Sequence, residues 1–194
     1  MRKIILWIHS SLNGVVTGDP SKDKTNFMAW TTDESLQTGS EWALKAMENV
    51  DTILLGRGTY EDLVRKWPSM NDSRLGKKIN NAHKLVVTSG SQGELKWGEF
   101  SAPRPLSGND IESQIRDLKK SAGGDIAIFG SPTLVRSLTE ANLIDEYQIQ
   151  VHPVVVNAGE QLFDGLDARI DFQLGGAHSL KDGSIVVIYR PAKR

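Results

Sequence analysis

The chain is expected to fold as an α/β protein of three layers, with a mixed, mostly parallel central sheet and an antiparallel hairpin at its C-terminal end. Three observations point there. Apolar runs at residues 4–9, 52–55, 84–87 and 125–129 lack polar alternation, as strands covered on both faces do. The three later runs, ending near Gly56, Ser89 and Gly130, each give way to small or hydroxylated residues and then to a turn or a helix. In the last third the pattern changes: Glu146 to His152 alternates polar and apolar residues, which predicts a strand with one face in water, and Lys181-Asp182-Gly183 is a hairpin signal between residues 171–179 and 184–189.

Bulk properties narrow the function. A chain of 194 residues suits one domain spanning residues 1–194. Its net charge is −1, from 23 basic and 24 acidic residues, so no global field draws it to nucleic acid or an anionic membrane. The absence of cysteine excludes disulfides, thiolate metal ligands and a cysteine nucleophile, and it fits a reducing cytoplasm, the expected location. The apolar run after Met1-Arg2-Lys3 is too short for a signal peptide and lacks a cleavage site. No apolar segment approaches the roughly 20 residues needed to cross a bilayer. The expected partner is therefore a small molecule.

Taken in order, Ser10 to Gly14 turn the chain after its first strand. Residues 15–29 show no period and form a candidate lid. Thr31 with Glu34, and Thr38 with Glu41, have capping-box spacing. Trp42, Ala43, Ala46, Met47 and Val50 then give a helix its apolar side.

The stretch Asp51 to Glu61 is central. Gly56 and Gly58 allow a tight turn or a close ligand approach, and Thr59 is expected to begin a helix with Glu61 and Asp62 in its first turn. Unpaired N–H groups at a helix start, with the planar fork of Arg57 beside them, suit a phosphate. The usual dinucleotide spacing is absent, since no third glycine follows Gly58, and there is no Walker-type Gly-Lys-Ser/Thr.

A short helix should end near Trp67-Pro68, and residues 73–81 read as a weak, mostly polar helix. Asn109 to Glu112 open an amphipathic helix with Ile111, Ile115 and Leu118 on one face. After Gly130, Ser131 is placed to cap a helix whose first residue is Pro132.

Other candidates read as structural. His9, His83, His152 and His178 include no pair with metal-binding spacing, so no metal is expected, and His152 is the one worth testing. Ser10-Ser11 lacks a nucleophile elbow. Lys77-Lys78 and Lys119-Lys120 read as solvated helix charges. Trp7, Trp42, Trp67 and Trp97 read as packing residues, because no basic stripe accompanies them.

Together the motifs resemble the dihydrofolate reductase-like superfamily, most closely the reductase domain of the bifunctional riboflavin-biosynthesis deaminase-reductase. Ser11-Leu12-Asn13-Gly14 is similar to that family's Ser-x-Asp-Gly turn. Leu55-Gly56-Arg57-Gly58-Thr59-Tyr60-Glu61 is similar to its Gly-Arg-x-Thr-Tyr/Trp-Glu signature. Val86 to Ser89, Phe129 to Val135, and His152-Pro153-Val154 followed by Gly159 to Phe163 match later segments in the right order.

The resemblance implies an NADPH-dependent reductase acting on a ribosylaminopyrimidine or a pterin, and a homodimer. By carry-over, Gly56, Arg57 and Thr59 hold phosphates, with Arg57 selecting the 2′-phosphate. Thr88 and Ser89 flank the adenosine phosphate, and Gly130, Ser131, Thr133 and Leu134 meet the pyrophosphate and the nicotinamide side. On the substrate side stand Asn13, where the family commonly has Asp, and Trp30 as a pocket wall. Asp33, Glu41 or an ordered water brings the proton. Dihydrofolate reductase proper, or an NADP(H)-binding module without turnover, are the alternatives.

Overall fold

The computed structural model describes residues 1–17, 41–89 and 93–192. Its main sheet has eight strands: β1 (Ile4–Ser11), β3 (Val50–Gly56), β4 (His83–Val87), β5 (Arg104–Leu106), β6 (Asp125–Phe129), β7 (Glu146–His152), β9 (Phe172–Ser179) and β10 (Ile185–Pro191). They lie in the order β5-β4-β3-β6-β1-β7-β10-β9. From β5 to β7 every pairing is parallel, and β10 and β9 add an antiparallel edge. The helices are α1 (residues 41–46), α2 (Arg57–Val64), α3 (Arg74–Asn81), α4 (Ile111–Lys120) and α5 (Pro132–Glu140), with a 3-10 turn at Trp67–Met70. Among the described residues no helix is long and apolar enough to cross a membrane.

Strand pleating sends alternate residues to opposite faces and so builds two cores. Ile4, Leu6, Ile8, Leu54 and Ile128 pack with Ile115 of α4 and with Leu134, Val135 and Leu138 of α5. On the other face Ile53, Leu55, Ala127 and Phe129 pack with Ala43 of α1, Tyr60 of α2, and Leu75 and Ile79 of α3. Three layers result, as expected, and the sheet is mixed and mostly parallel.

Several local expectations are corrected. Helix α2 begins at Arg57, not Thr59: Gly56 is extended (φ −77°, ψ 160°) and occupies the cap position, which puts Thr59 inside the first turn and Glu61 and Asp62 beyond it. Ser131 precedes α5 but its hydroxyl makes no cap bond, because the residue is left-handed (φ 58°, ψ 75°). Of the expected lid, Val15–Thr17 form strand β2, which pairs with β8 (Glu160–Gln161); residues 18–29 lie outside the described residues.

The largest correction concerns β7, whose polar residues were expected to face water. Glu146, Gln148, Gln150 and His152 are all buried, because side chains lie over that face and pair with them: Arg190 with Glu146, Trp42 of α1 with Gln148, Ser184 with Gln150 and His9 with His152.

Nor is Lys119 a solvated charge. Its Nζ is buried, donating to Leu143 O at 2.8 Å and Asp145 Oδ2 at 2.6 Å, and that carboxylate oxygen also accepts from Ile4 N at 2.7 Å. It ties α4 to the entry of β7 and the start of β1. At the same end of the sheet buried Arg2 donates to Gly124 O, to Thr52 Oγ1 and to the Asp51 carboxylate, joining the amino ends of β1, β3 and β6. Removing Lys119 leaves buried acceptors unpaired. Lys119→Ala should lower unfolding free energy by about 2–3 kcal/mol, and Lys120→Ala by under about 0.5 kcal/mol, as read by urea denaturation.

Candidate functional site

At the carboxyl ends of β3 and β6 two helix starts are brought face to face. A Cβ built on Gly56 would fall 1.9 Å from Ser131 Oγ and 2.7 Å from Ser131 Cβ, so only glycine allows this approach. Across the same gap, a Cβ on Gly130 would meet Thr59 Cγ2 and Oγ1, each at 3.3 Å. Gly130 and Ser131 both have positive φ (62° and 58°), which swings the chain from β6 sharply into α5. The first turns of α2 and α5, with their unpaired backbone N–H groups, therefore open beside one another.

Arg57 stands on this rim. Its Nε donates to Glu61 Oε1 at 2.7 Å, a half-exposed i,i+4 pair, and its Cζ lies 5.5 Å from the centre of the Tyr60 ring. Its Nη1 is buried and has no hydrogen-bond partner. Among the described residues nothing accepts from it, and a buried guanidinium nitrogen is costly until a water or a ligand does.

Strand β4 lies beside β3 with Val87 opposite Gly56, so Thr88 and Ser89 follow one step past the same edge. Thr88 is buried, with its N–H donating to Leu106 O at 2.9 Å, and Ser89 is exposed. On α5 Thr133 is exposed and Leu134 buried, its Cβ 3.9 Å from where a Gly56 Cβ would lie. The fold thus gathers Gly56, Arg57, Thr59, Thr88, Ser89, Gly130, Ser131 and Leu134 along one edge, the carboxyl end at which open α/β sheets bind ligands.

The substrate-side residues are placed differently. Asn13 follows β1, where its Oδ1 accepts from Ser11 Oγ at 2.9 Å and Val156 N at 3.1 Å, and its Nδ2 donates to Val156 O at 2.9 Å. It ties the first turn to the loop before β8. Nearby a cleft of about 470 Å³, lined by Asn13, Ile149, Val151, Phe163 and Val187 among others, opens on the α4–α5 side of the sheet. Glu41 is exposed at the start of the described part of α1. Trp30 and Asp33 lie outside the described residues.

Sequence reasoning missed a polar stripe on the opposite face. Trp7 and His9 of β1 share that face with Gln148, Gln150 and His152 of β7. His9 Nδ1 lies 2.8 Å from His152 Nε2, with the rings stacked at 5.1 Å, so one imidazole donates to the other. Burial and the neighbouring His152, opposed by Asp182, push the His9 pKa down to about 4, and burial lowers His152 despite Asp182. Both imidazoles are neutral at pH 7. Trp7 packs edge-on against Phe129, which precedes Gly130, so the stripe is continuous with the helix-start edge. The strict alternation of β7 was the available signal. Among the described residues no three histidine, aspartate or glutamate side chains are grouped to hold a metal ion.

The fold and this edge define an α/β protein with a narrow gap between two helix starts at the carboxyl end of its sheet. The chain belongs to the RibD C-terminal domain family, whose model matches residues 2–187. It is 25% identical over 191 residues to the uncharacterized protein YyaP of Bacillus subtilis, covering 97% of this chain and 94% of that one. A structure of a putative riboflavin biosynthesis protein from Shewanella superposes over 100% of both chains (TM-score 0.74, 20% identity). A diaminohydroxyphosphoribosylaminopyrimidine deaminase/5-amino-6-(5-phosphoribosylamino)uracil reductase from Thermotoga maritima matches 98% of this chain and 57% of its own (TM-score 0.68, 16% identity). Dihydrofolate reductase from Enterococcus faecalis, complexed with NADP(H), matches 98% and 97% (TM-score 0.58, 14% identity). The fold is dihydrofolate reductase-like.

Two outcomes test this geometry. Gly56→Ala should cost about 1–3 kcal/mol through overpacking, and adding Ser131→Gly should recover most of it, as measured by chemical denaturation of the single and double variants. For His9, an imidazole held near 4 in the folded chain and near 6.5 in the unfolded one makes the unfolded state bind more protons between those values. Its contribution is therefore fully present above pH 6.5 and is lost as pH falls toward 4, by up to roughly 3 kcal/mol. Melting temperature should drop over that window, and His9→Gln should drop less.

Proposed function

We propose that the chain is an NADPH-dependent reductase that transfers hydride to a pyrimidine- or pterin-type small molecule, in the manner of a 5-amino-6-(5-phosphoribosylamino)uracil reductase of riboflavin biosynthesis. The observation that carries this reading is the unpaired, buried Nη1 of Arg57 beside the gap that Gly56 and Ser131 close to contact. That donor set fits a phosphorylated nucleotide: a guanidinium with a free N–H and two helix starts. The reading also draws on the family membership, on the reductase activity for which the Thermotoga protein is named and on the NADP(H) of the Enterococcus complex.

In this proposal the N–H groups around Gly56, Thr59, Gly130, Ser131 and Thr133 hold the phosphates, Thr88 and Ser89 flank the adenosine end, and Leu134 backs the gap. NADPH supplies the hydride when bound; the chain aligns the acceptor against it and keeps water out. Asp33 and Glu41 are the carboxylates assigned to the proton, and Asn13 and Trp30 the substrate contacts. The proposal places the enzyme in the cytoplasm as a homodimer, for which light scattering should return twice the mass of the chain. Asn13 does not favour a silent binding module, since its amide is engaged with the backbone of Val156 and does not stand in for a lost charge.

Charge-assisted bonds are worth roughly 1.5–3 kcal/mol each. Arg57→Gln should therefore weaken NADPH by about one to two orders of magnitude in a fluorescence titration and NADH by under about threefold. Equal weakening of both removes Arg57 from its role.

A further inference from the structure

Helix α3 carries its charges at a cost. On α2 and α4 the outward cations each have an acid one turn away: Arg57 has Glu61, Arg116 has Glu112 and Lys120 has Asp117. On α3, Arg74, Lys77 and Lys78 stand at i, i+3 and i+4, and no acid lies three or four residues from any of them. Like charges at this spacing repel one another, and Arg74 is the first residue of the helix, where the macrodipole disfavours a cation. Only Lys78, in the last turn, sits where a helix welcomes positive charge. Among the described residues none of the three is in an ion pair; Lys78 Nζ donates to the backbone of Glu48 at 3.2 Å. The helix forms in spite of its charges because Leu75 and Ile79 are buried in the core beneath it.

The three cations line a cleft of about 560 Å³ at the amino ends of β3 and β4, where His83 joins them. One acid, Asp51, is on its wall, and both of its oxygens are spent inside the fold. One accepts from Arg2 Nη2 and from Thr52 Oγ1 at 2.7 Å, and the other from Gly124 N at 2.6 Å. The cleft therefore gathers three full positive charges and an imidazole without a countercharge of its own, in a chain whose net charge is −1. It lies at the opposite end of the strands from Gly56, Arg57 and Ser131, so the reductase reading makes no use of it.

We propose that this cleft is a second ligand site, which binds a compound carrying a short chain of phosphates. Its volume is that of a small-molecule site. Arg74 and Lys78 are separated by about 6 Å along the helix axis, which suits linked phosphates better than a single carboxylate. A guanidinium takes two phosphate oxygens at once, and the two ammonium groups add point charges beside it. The patch ends within the cleft, because the cations of α2 and α4 are already paired; a nucleic acid would need it to continue. Leu44 and Val50 add an apolar wall that a nucleoside attached to the phosphates can meet.

The test titrates inorganic tripolyphosphate, and separately ATP, into the full chain at constant ionic strength, read by the amide NMR shifts of residues 74–83. Both should saturate those shifts with Kd below about 1 mM; a tighter Kd for ATP identifies a nucleotide as the source, and equal values the phosphate chain alone. Arg74→Gln with Lys77→Gln should weaken binding by at least about tenfold. Arg65→Gln with Lys120→Gln removes the same net charge elsewhere and should change it by under about twofold. Arg57→Gln should also leave it within about twofold, which separates this cleft from the gap at the other end of the sheet. Without ligand, the Arg74→Gln, Lys77→Gln variant should melt no lower than the unsubstituted chain, since it relieves repulsion. The proposal is overturned by unsaturable shifts, by an equal response to sodium sulfate, or by equal weakening in the Arg65→Gln, Lys120→Gln control. Loss of binding in Arg57→Gln assigns the anion to the gap and overturns it too. So does an Arg74→Gln, Lys77→Gln variant that melts several degrees lower or fails to fold, because those cations then serve the helix and not a ligand.

Discussion

The contact on which the site depends is the approach of Gly56 to Ser131. Parallel pairing of β3 with β6 sets two strand ends side by side, and any side chain at position 56 would hold them apart. Because Gly56 has none, the helix starts of α2 and α5 meet at the gap and Thr59 reaches Gly130. Two helix starts set side by side bring the partial positive charge of their first turns to one end of the sheet, in a chain that is near-neutral as a whole. Arg57 adds a full charge to that rim without being consumed by it, since only its Nε is engaged with Glu61.

The opposite end of the sheet does different work. Arg2 with Asp51, and Lys119 with Asp145, are cations taken out of water and matched to carboxylates and carbonyls at the amino ends of the strands. Such pairs stabilise modestly, but each breaks at high cost, so they hold the register that the other end needs. A chain of this kind separates its duties along the strand axis: register is secured where the strands begin, and the helix starts and the Arg57 Nη1 are left unpaired where they end.

The same separation holds across the sheet. One face is apolar beneath α4 and α5, whereas the other passes from the apolar residues of β3 and β6 to the polar stripe of β7. That stripe is nearly self-satisfied. Glu146 takes Arg190, Gln148 takes Trp42, and His152 takes His9, so the atoms left over are few and on definite side chains. In a low-dielectric setting those leftovers are the costly atoms of the stripe, because an unmatched polar group there cannot fall back on bulk water.

How much of this was legible in the sequence follows from the range of each interaction. Local signals were enough for the longer strands, for the parallel core with a late hairpin, and for the glycine and arginine at the end of β3, because apolar runs, turn residues and motif spacing are properties of neighbours in the chain, whereas the short strands β2, β5 and β8 carry no such run. Sequence misjudged what depends on the neighbour across the sheet. The alternation of Glu146 to His152 is the same whether that face meets water or protein, and only the arrival of Trp42, Arg190, Ser184 and His9 over it makes its polar side buried. Lys119 and Lys120 are likewise adjacent and chemically identical in sequence; α4 turns one toward Asp145 and the other toward water. Tertiary structure alone decided which polar atoms were matched and which were left over, since a hydrogen bond between residues 34 or 143 positions apart has no signature in either residue by itself.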